Sequence, residues 1–304
     1  MSTSSGTAAG PALRVIDSHL HVWASPDEAS SAFPYAKGQE PPESLQDVAS
    51  TAALIEQMDE HGVAGALIVQ PINHKFDHSY VLDALKKHPD RFKGMMLHDP
   101  SMSTRDAVER LDELVLKGFV GVRFNPYLWP KLTTNSWTPM SSTEAGMAVY
   151  KRCGELKVPV GVMCFQGLQL HFDDIVELVE KSPETPLILD HVGFTSFTNE
   201  GDAAFQKLLS LADYPQVAVK ISAVFRLQDD SPSYEKVRTE RLEPLLKKFG
   251  PERLMFGTDF PFVLEQPGAY GGTVDLVRSW LGHHSHQVMS STAESLFGPW
   301  GITT

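Results

Sequence analysis

The chain has 304 residues, 42% of them apolar, and a net charge of −12, with no uninterrupted apolar run near the roughly 18 residues that a membrane-spanning helix requires. That excess of acid, broken by no basic stripe, argues against phosphate backbones and against nucleic acid as a partner. The two cysteines, Cys153 and Cys164, fall on a helix-like and a strand-like segment, which speaks against a disulfide framework and suits a reducing compartment.

The opening stretch, MSTSSGTAAGPA, is small and polar and lacks the apolar core of a secretory signal. Residues 1–13 therefore read as a flexible tail ahead of one domain over 14–304, with the cytoplasm as expected compartment and an organelle such as a plastid as the alternative. From RVIDSHLHVW (14–23) onward, apolar strand-like runs alternate with amphipathic helical ones. The strands continue as GALIVQP (65–71), KGMMLHDP (93–100), FVGVRFNP (119–126), VPVGVMCF (158–165), TPLILDHVG (185–193), VAVKISAVF (217–225) and RLMFGTDFP (253–261). Between them lie helical segments such as TAALIEQMDEHG, TRDAVERLDELVLKG and EKVRTERLEPLLKKFG, several opening after Ser, Thr or Asp and closing at Gly. Eight such units predict an α/β fold, a (β/α)8 TIM barrel, because strands covered on both faces read as near-continuous apolar runs. The last segment, SSTAESLFG, reads as a helix packing across the barrel.

Pro71, Pro100, Pro126 and Pro261 stop their strands and turn the chain into loops at the C-terminal face. Two loops are long, 24–49 and 126–141, and the aromatic residues of the second, Tyr127, Trp129 and Trp137, suggest a substrate wall.

In a parallel barrel the strand ends share one mouth, so the polar residues at those ends are the candidates for chemistry. His19 and His21, two apart on the first strand, leave the same face with a metal-ligand spacing. Asp259 ends the last strand, where a buried carboxylate needs a cation, a proton or a metal beside it. His191 ends the sixth strand; its neighbour Asp190 is expected to face the helices. Arg123 interrupts an apolar strand and suits a carboxylate or carbonyl oxygen, with Arg226 reaching the same place from the seventh loop. Lys220, inside the seventh strand, suits a second cation or a partner for a buried carboxylate. His98 and Gln70 are weaker candidates, Cys164 reads as a small hydrophobe, and the His283, His284, His286 run reads as a solvated turn.

Taken together, VIDSHLHVW, GVRFN, LILDHVG and LMFGTDFP resemble the amidohydrolase 2 branch of the amidohydrolase superfamily over residues 14–298. The resemblance implies a distorted (β/α)8 barrel with hydrolase or carboxy-lyase activity. In many members one divalent metal is held by the first-strand histidines and the last-strand aspartate, here His19, His21 and Asp259. Metal-dependent decarboxylases of the branch usually add a histidine at the end of the fifth strand. This chain reads VMCFQG there, with Cys164 and Gln166, a departure shared with the group related to 2-pyrone-4,6-dicarboxylate lactonase and fuconolactonase. In that group arginines after the fourth and seventh strands bind substrate carboxylates, which matches Arg123 and Arg226, and some members need no metal.

The resulting expectation is hydrolysis of a small carboxylated lactone or related cyclic ester or amide. Asp259 takes a proton from water while His19, His21, His191 or Arg123 stabilise the oxyanion, and Arg123, Arg226 and Tyr127 contact substrate. The cofactor is either none or one zinc or manganese ion. A metal-dependent non-oxidative decarboxylase is the alternative, and a non-catalytic binding barrel the more distant one. Substrate identity and assembly into a homo-oligomer stay open.

Overall fold

A computed structural model describes residues 14–301; the expected tail, 1–13, lies outside the described residues. Eight parallel strands stand in chain order around a barrel. They are β1 Val15–Leu20, β2 Val63–Val69, β3 Phe92–Leu97, β4 Phe119–Phe124, β5 Val160–Val162, β6 Leu187–Leu189, β7 Val217–Ser222 and β8 Leu254–Gly257. The principal covering helices are α1 Thr51–Glu60, α2 Ser79–Lys87, α3 Thr104–Leu116, α4 Glu144–Leu156, α5 Phe172–Lys181, α6 Asn199–Ser210, α7 Glu243–Phe249 and α8 Ala269–Leu281, followed by a terminal α9, Thr292–Phe297. Capping works as the sequence suggests. Ser50, Ser103, Thr143 and Thr198 each accept a first-turn backbone N–H at the starts of α1, α3, α4 and α6. No helix among the described residues is long and apolar enough to cross a membrane.

The barrel closes through residues that the sequence singles out as candidates for chemistry. The Asp259 N–H donates to the His19 carbonyl at 2.8 Å and the His21 N–H to the Phe260 carbonyl at 2.7 Å. Such an approach of β1 to β8 depends on Gly257, where a Cβ would stand 2.7 Å from His19 Cβ.

The interior is divided by height. Toward the N-terminal ends of the strands, Ile16, Leu67, Met95, Ile188, Ala218 and Met255 form a small apolar cluster, plugged by Phe297 and Trp300. The terminal segment thus does pack across the barrel, with Trp300 Nε1 donating to the Ala66 carbonyl at 3.2 Å. Toward the C-terminal ends the interior turns polar. On β1 the pairing with β2 shifts register between Asp17 and Leu20, so one strand contributes Ile16 to the lower cluster and both His19 and His21 to the mouth, although their parity differs.

Several strands are shorter than their apolar runs. β6 and β8 leave the ladder at Leu189 and Gly257, since His191 and Asp259 take left-handed backbone conformations with φ of 52° and 64°. Loop 24–49 contains a short helix, Pro26–Ser31, and packs Leu45 and Ala49 on Trp23. Loop 126–141 carries a small hairpin, Lys131–Thr133 with Ser136–Trp137.

Candidate active site

Asp259 is at the centre of the mouth and only 1% exposed. Its Oδ1 faces the Nε2 atoms of three histidines, with His21 at 3.5 Å and His19 and His191 each at 3.9 Å. Its Oδ2 accepts a 2.8 Å hydrogen bond from Arg226 Nε, and the Arg226 guanidinium lies against the rings of Phe225 and Phe262. Burial works to raise the Asp259 pKa, but His191, Arg226 and His21 outweigh it and hold the carboxyl far below its usual range. Burial pushes His191 down to about 4, and drives His19 well below its usual value. At neutral pH the centre is therefore a carboxylate beside the uncharged imidazoles of His19 and His191.

The far nitrogens of these histidines are fixed from behind. His21 Nδ1 lies 2.8 Å from the Val69 carbonyl, and His191 Nδ1 lies 2.8 Å from Ser222 Oγ. His19 Nδ1 lies 3.1 Å from both Asp190 Oδ1 and Lys220 Nζ. Asp190, Lys220 and His19 are each 0% exposed, with Lys220 Nζ 3.3 Å from Asp190 Oδ1 and Arg123 Nε 3.4 Å from Asp190 Oδ2. Burial raises the Asp190 carboxyl, yet Lys220, His19 and Arg123 together hold it well below its usual range.

The donor set suits a divalent ion. Ligand atoms of His19, His191 and Asp259 all lie within 4.8 Å of one another, and His19 Nε2 is buried without a hydrogen-bond partner. Donors about 2.1 Å from a tetrahedral ion stand about 3.4 Å apart, so spacings of 3.5–3.9 Å around Asp259 Oδ1 need only a small contraction.

Beside this centre opens a cavity of about 230 Å³. Arg123, Arg226, Asn73, Asn125 and Gln70 supply its polar lining, and Trp23, Phe165, Phe194 and Phe262 its aromatic wall.

A family model described as Amidohydrolase matches residues 16–285. The chain belongs to the amidohydrolase family. Among curated relatives of this amidohydrolase is the 4-sulfomuconolactone hydrolase of Hydrogenophaga intermedia, 28% identical over 258 residues that cover 81% of this chain and 74% of that protein. Among solved structures, one described as a probable 2-pyrone-4,6-dicarboxylic acid hydrolase from Acinetobacter baumannii, with citric acid bound, superposes with a TM-score of 0.75 at 21% identity. It covers 94% of this chain and 100% of that one. A Pseudomonas putida protein described in similar terms gives 0.74 at 25% identity, covering 94% and 98%.

Within the amidohydrolase barrel the strand-end residues His19, His21, Arg123, His191, Arg226 and Asp259 converge on one mouth. Asp190 departs from expectation: it points into the barrel, not toward the helices. It keeps the inward parity of Ile188, and His191 reaches the same interior only because its left-handed φ of 52° turns the chain back. Tyr127 does not line the cavity; its ring packs 4.2 Å from that of Phe165 and its hydroxyl accepts the Gln166 N–H, so it stands behind the wall. His98 is packed between Phe124 and Trp129, Cys164 is buried and free, and His283, His284 and His286 follow α8 away from the cavity. Trp23, whose buried Nε1 has no partner, was overlooked by sequence reasoning, although it continues the spacing of His19 and His21.

Proposed function

We propose that this amidohydrolase opens the ring of a small carboxylated lactone or related cyclic ester by hydrolysis, with Asp259 as the base. The observation that carries the reading is a single buried, ionised carboxylate on the wall of a ring-sized cavity, faced by three histidines and flanked by two arginines. Relatives described as hydrolases of lactones support it.

In this scheme Asp259 accepts a proton from water as its oxygen adds to the ring carbonyl. His19, His21 and His191 face the oxyanion that develops, in a site already shielded from bulk solvent. When the acyl C–O bond breaks, the leaving oxygen takes the proton back from Asp259, and the product is a ring-opened acid. Arg123 and Arg226 hold the substrate carboxylate, and the aromatic wall holds the flat ring.

A zinc or manganese ion held by His19, His191 and Asp259, with His21 alongside, would supply an acidified water and polarise the carbonyl. The carboxy-lyase alternative calls for a histidine at the end of β5, where Met163 and Phe165 line the cavity and Cys164 is buried.

The test is acid release from a panel of carboxylated lactones by wild type and Asp259→Asn. The expected outcome is turnover that falls by about 10²- to 10⁴-fold in the variant, with the circular dichroism spectrum retained. Carbon dioxide from an aromatic carboxylate, without acid release from any lactone, would replace hydrolysis by decarboxylation.

A further inference from the structure

His19 offers one nitrogen to two neighbours that make opposite demands on it. Asp190 Oδ1, 3.1 Å from Nδ1, accepts a hydrogen bond; Lys220 Nζ, also 3.1 Å from Nδ1, donates one as an ammonium. All three side chains are shut off from bulk solvent. A neutral imidazole carries a single N–H, so the outcome at Nδ1 fixes the state of Nε2. If Nδ1 donates to Asp190, a bare Nε2 lone pair faces Asp259 Oδ1, 3.9 Å away. If Nδ1 accepts from Lys220, an N–H points there instead. Nε2 has no protein hydrogen-bond partner that would decide the matter from its own side.

We propose that Lys220 is a positioning residue that selects the Nε2–H tautomer of His19 and so limits the affinity of the His19, His191 and Asp259 centre for a divalent metal. Asp190 acts in the opposite sense, because a proton drawn to Nδ1 frees Nε2 as a ligand. The Lys220 charge reinforces the effect, since a cation beside a ligating ring opposes a second cation on its far side. Asp190 keeps Arg123, 3.4 Å away, as a cationic neighbour when Lys220 is removed. The inference rests on the reading of this centre as the hydrolytic site and is independent of which lactone is cleaved.

The decisive property is sign. General damage to the site weakens metal binding in every variant, whereas the tautomer account requires two variants to move apart. Metal-stripped wild type, Lys220→Met and Asp190→Asn are titrated with Zn²⁺ against a competing chelator. Affinity is expected to rise by about 10- to 100-fold in Lys220→Met, the usual scale for groups behind a metal ligand, and to fall in Asp190→Asn. Two-bond ¹⁵N–¹H spectra of histidine-labelled protein, with His19 assigned by its loss in His19→Gln, read the tautomer directly. Wild type is expected to carry the proton on Nε2 and Lys220→Met on Nδ1.

Unchanged or weaker zinc binding in Lys220→Met would overturn the proposal. So would a wild-type His19 already protonated on Nδ1, a result that does not depend on Lys220→Met or Asp190→Asn. Both readouts are taken without substrate, so a failure to find lactone turnover leaves them standing.

Discussion

Arg123 is 5% exposed, and its Nε and Nη2 have no hydrogen-bond partner in the protein. Leaving buried donors unpaired costs about 1–3 kcal/mol each; the residue also lines the cavity, where the proposed reaction has it meet the substrate carboxylate. Arg226 differs, for its Nε is already committed to Asp259. With hydrogen bonds to charged groups contributing about 1.5–3 kcal/mol each, Arg123→Met is expected to lower kcat/KM for a carboxylated lactone by about 10²-fold. An uncharged lactone of the same ring should be nearly unaffected. Steady-state kinetics on that substrate pair check it; equal losses on both would assign Arg123 to holding Asp190 in place of substrate.

At the scale of elements, the junction of β3 with α2 is sealed by a neutral histidine. His78, at the start of α2, accepts the Leu97 N–H from the end of β3 at 3.1 Å, and burial pushes its pKa down to about 4. Burial does the same to His98, between Phe124 and Trp129. In the unfolded chain both titrate near 6.5. Between pH 6.5 and 4 the unfolded state therefore binds protons that the folded state refuses, and stability drains away as pH falls, by about 3 kcal/mol for each histidine. Asp17 works the other way. Burial raises it to about 6, so its contribution is present in acid and lost as pH climbs from about 4 to 6. His78 and His98, joined by His191 and His19 in the site, outweigh one aspartate, and Tm is expected to change little between pH 7 and 8 and to fall between pH 6.5 and 4. His98→Phe, which keeps the aromatic packing, should make that fall shallower in a thermal melt series; an unchanged slope would show that His98 does not contribute.

Across the whole molecule, the barrel holds an apolar plug at one end and the candidate site at the other. Trp300 closes the lower cluster, where a Cβ on Gly65 would stand 2.3 Å from the indole ring. Asp259 and the cavity lie at the opposite end of the same strands. Trp300→Ala is expected to cost about 3–5 kcal/mol, seen as a lower urea midpoint, while kcat of the folded protein stays within a few-fold of wild type. A loss of kcat without a loss of stability would show that the two ends are coupled.

The sequence by itself determined the architecture and the roster of the mouth. Eight apolar runs alternating with capped amphipathic helices admit few folds other than a barrel, and a barrel brings the ends of β1, β4, β6, β7 and β8 together whatever their separation along the chain. His19, His21, His191, Arg123, Arg226 and Asp259 were legible for that reason, as polar interruptions of apolar strands. What the side chains do to one another was decided by tertiary structure. Strand parity holds only while the backbone stays extended, so the left-handed turns at His191 and Asp259 and the register shift in β1 re-aim side chains that a period of two would send elsewhere. Asp190 facing inward, Lys220 sharing His19 with it, and Tyr127 standing behind Phe165 all follow from distances across the barrel. A one-dimensional pattern carries no such distances.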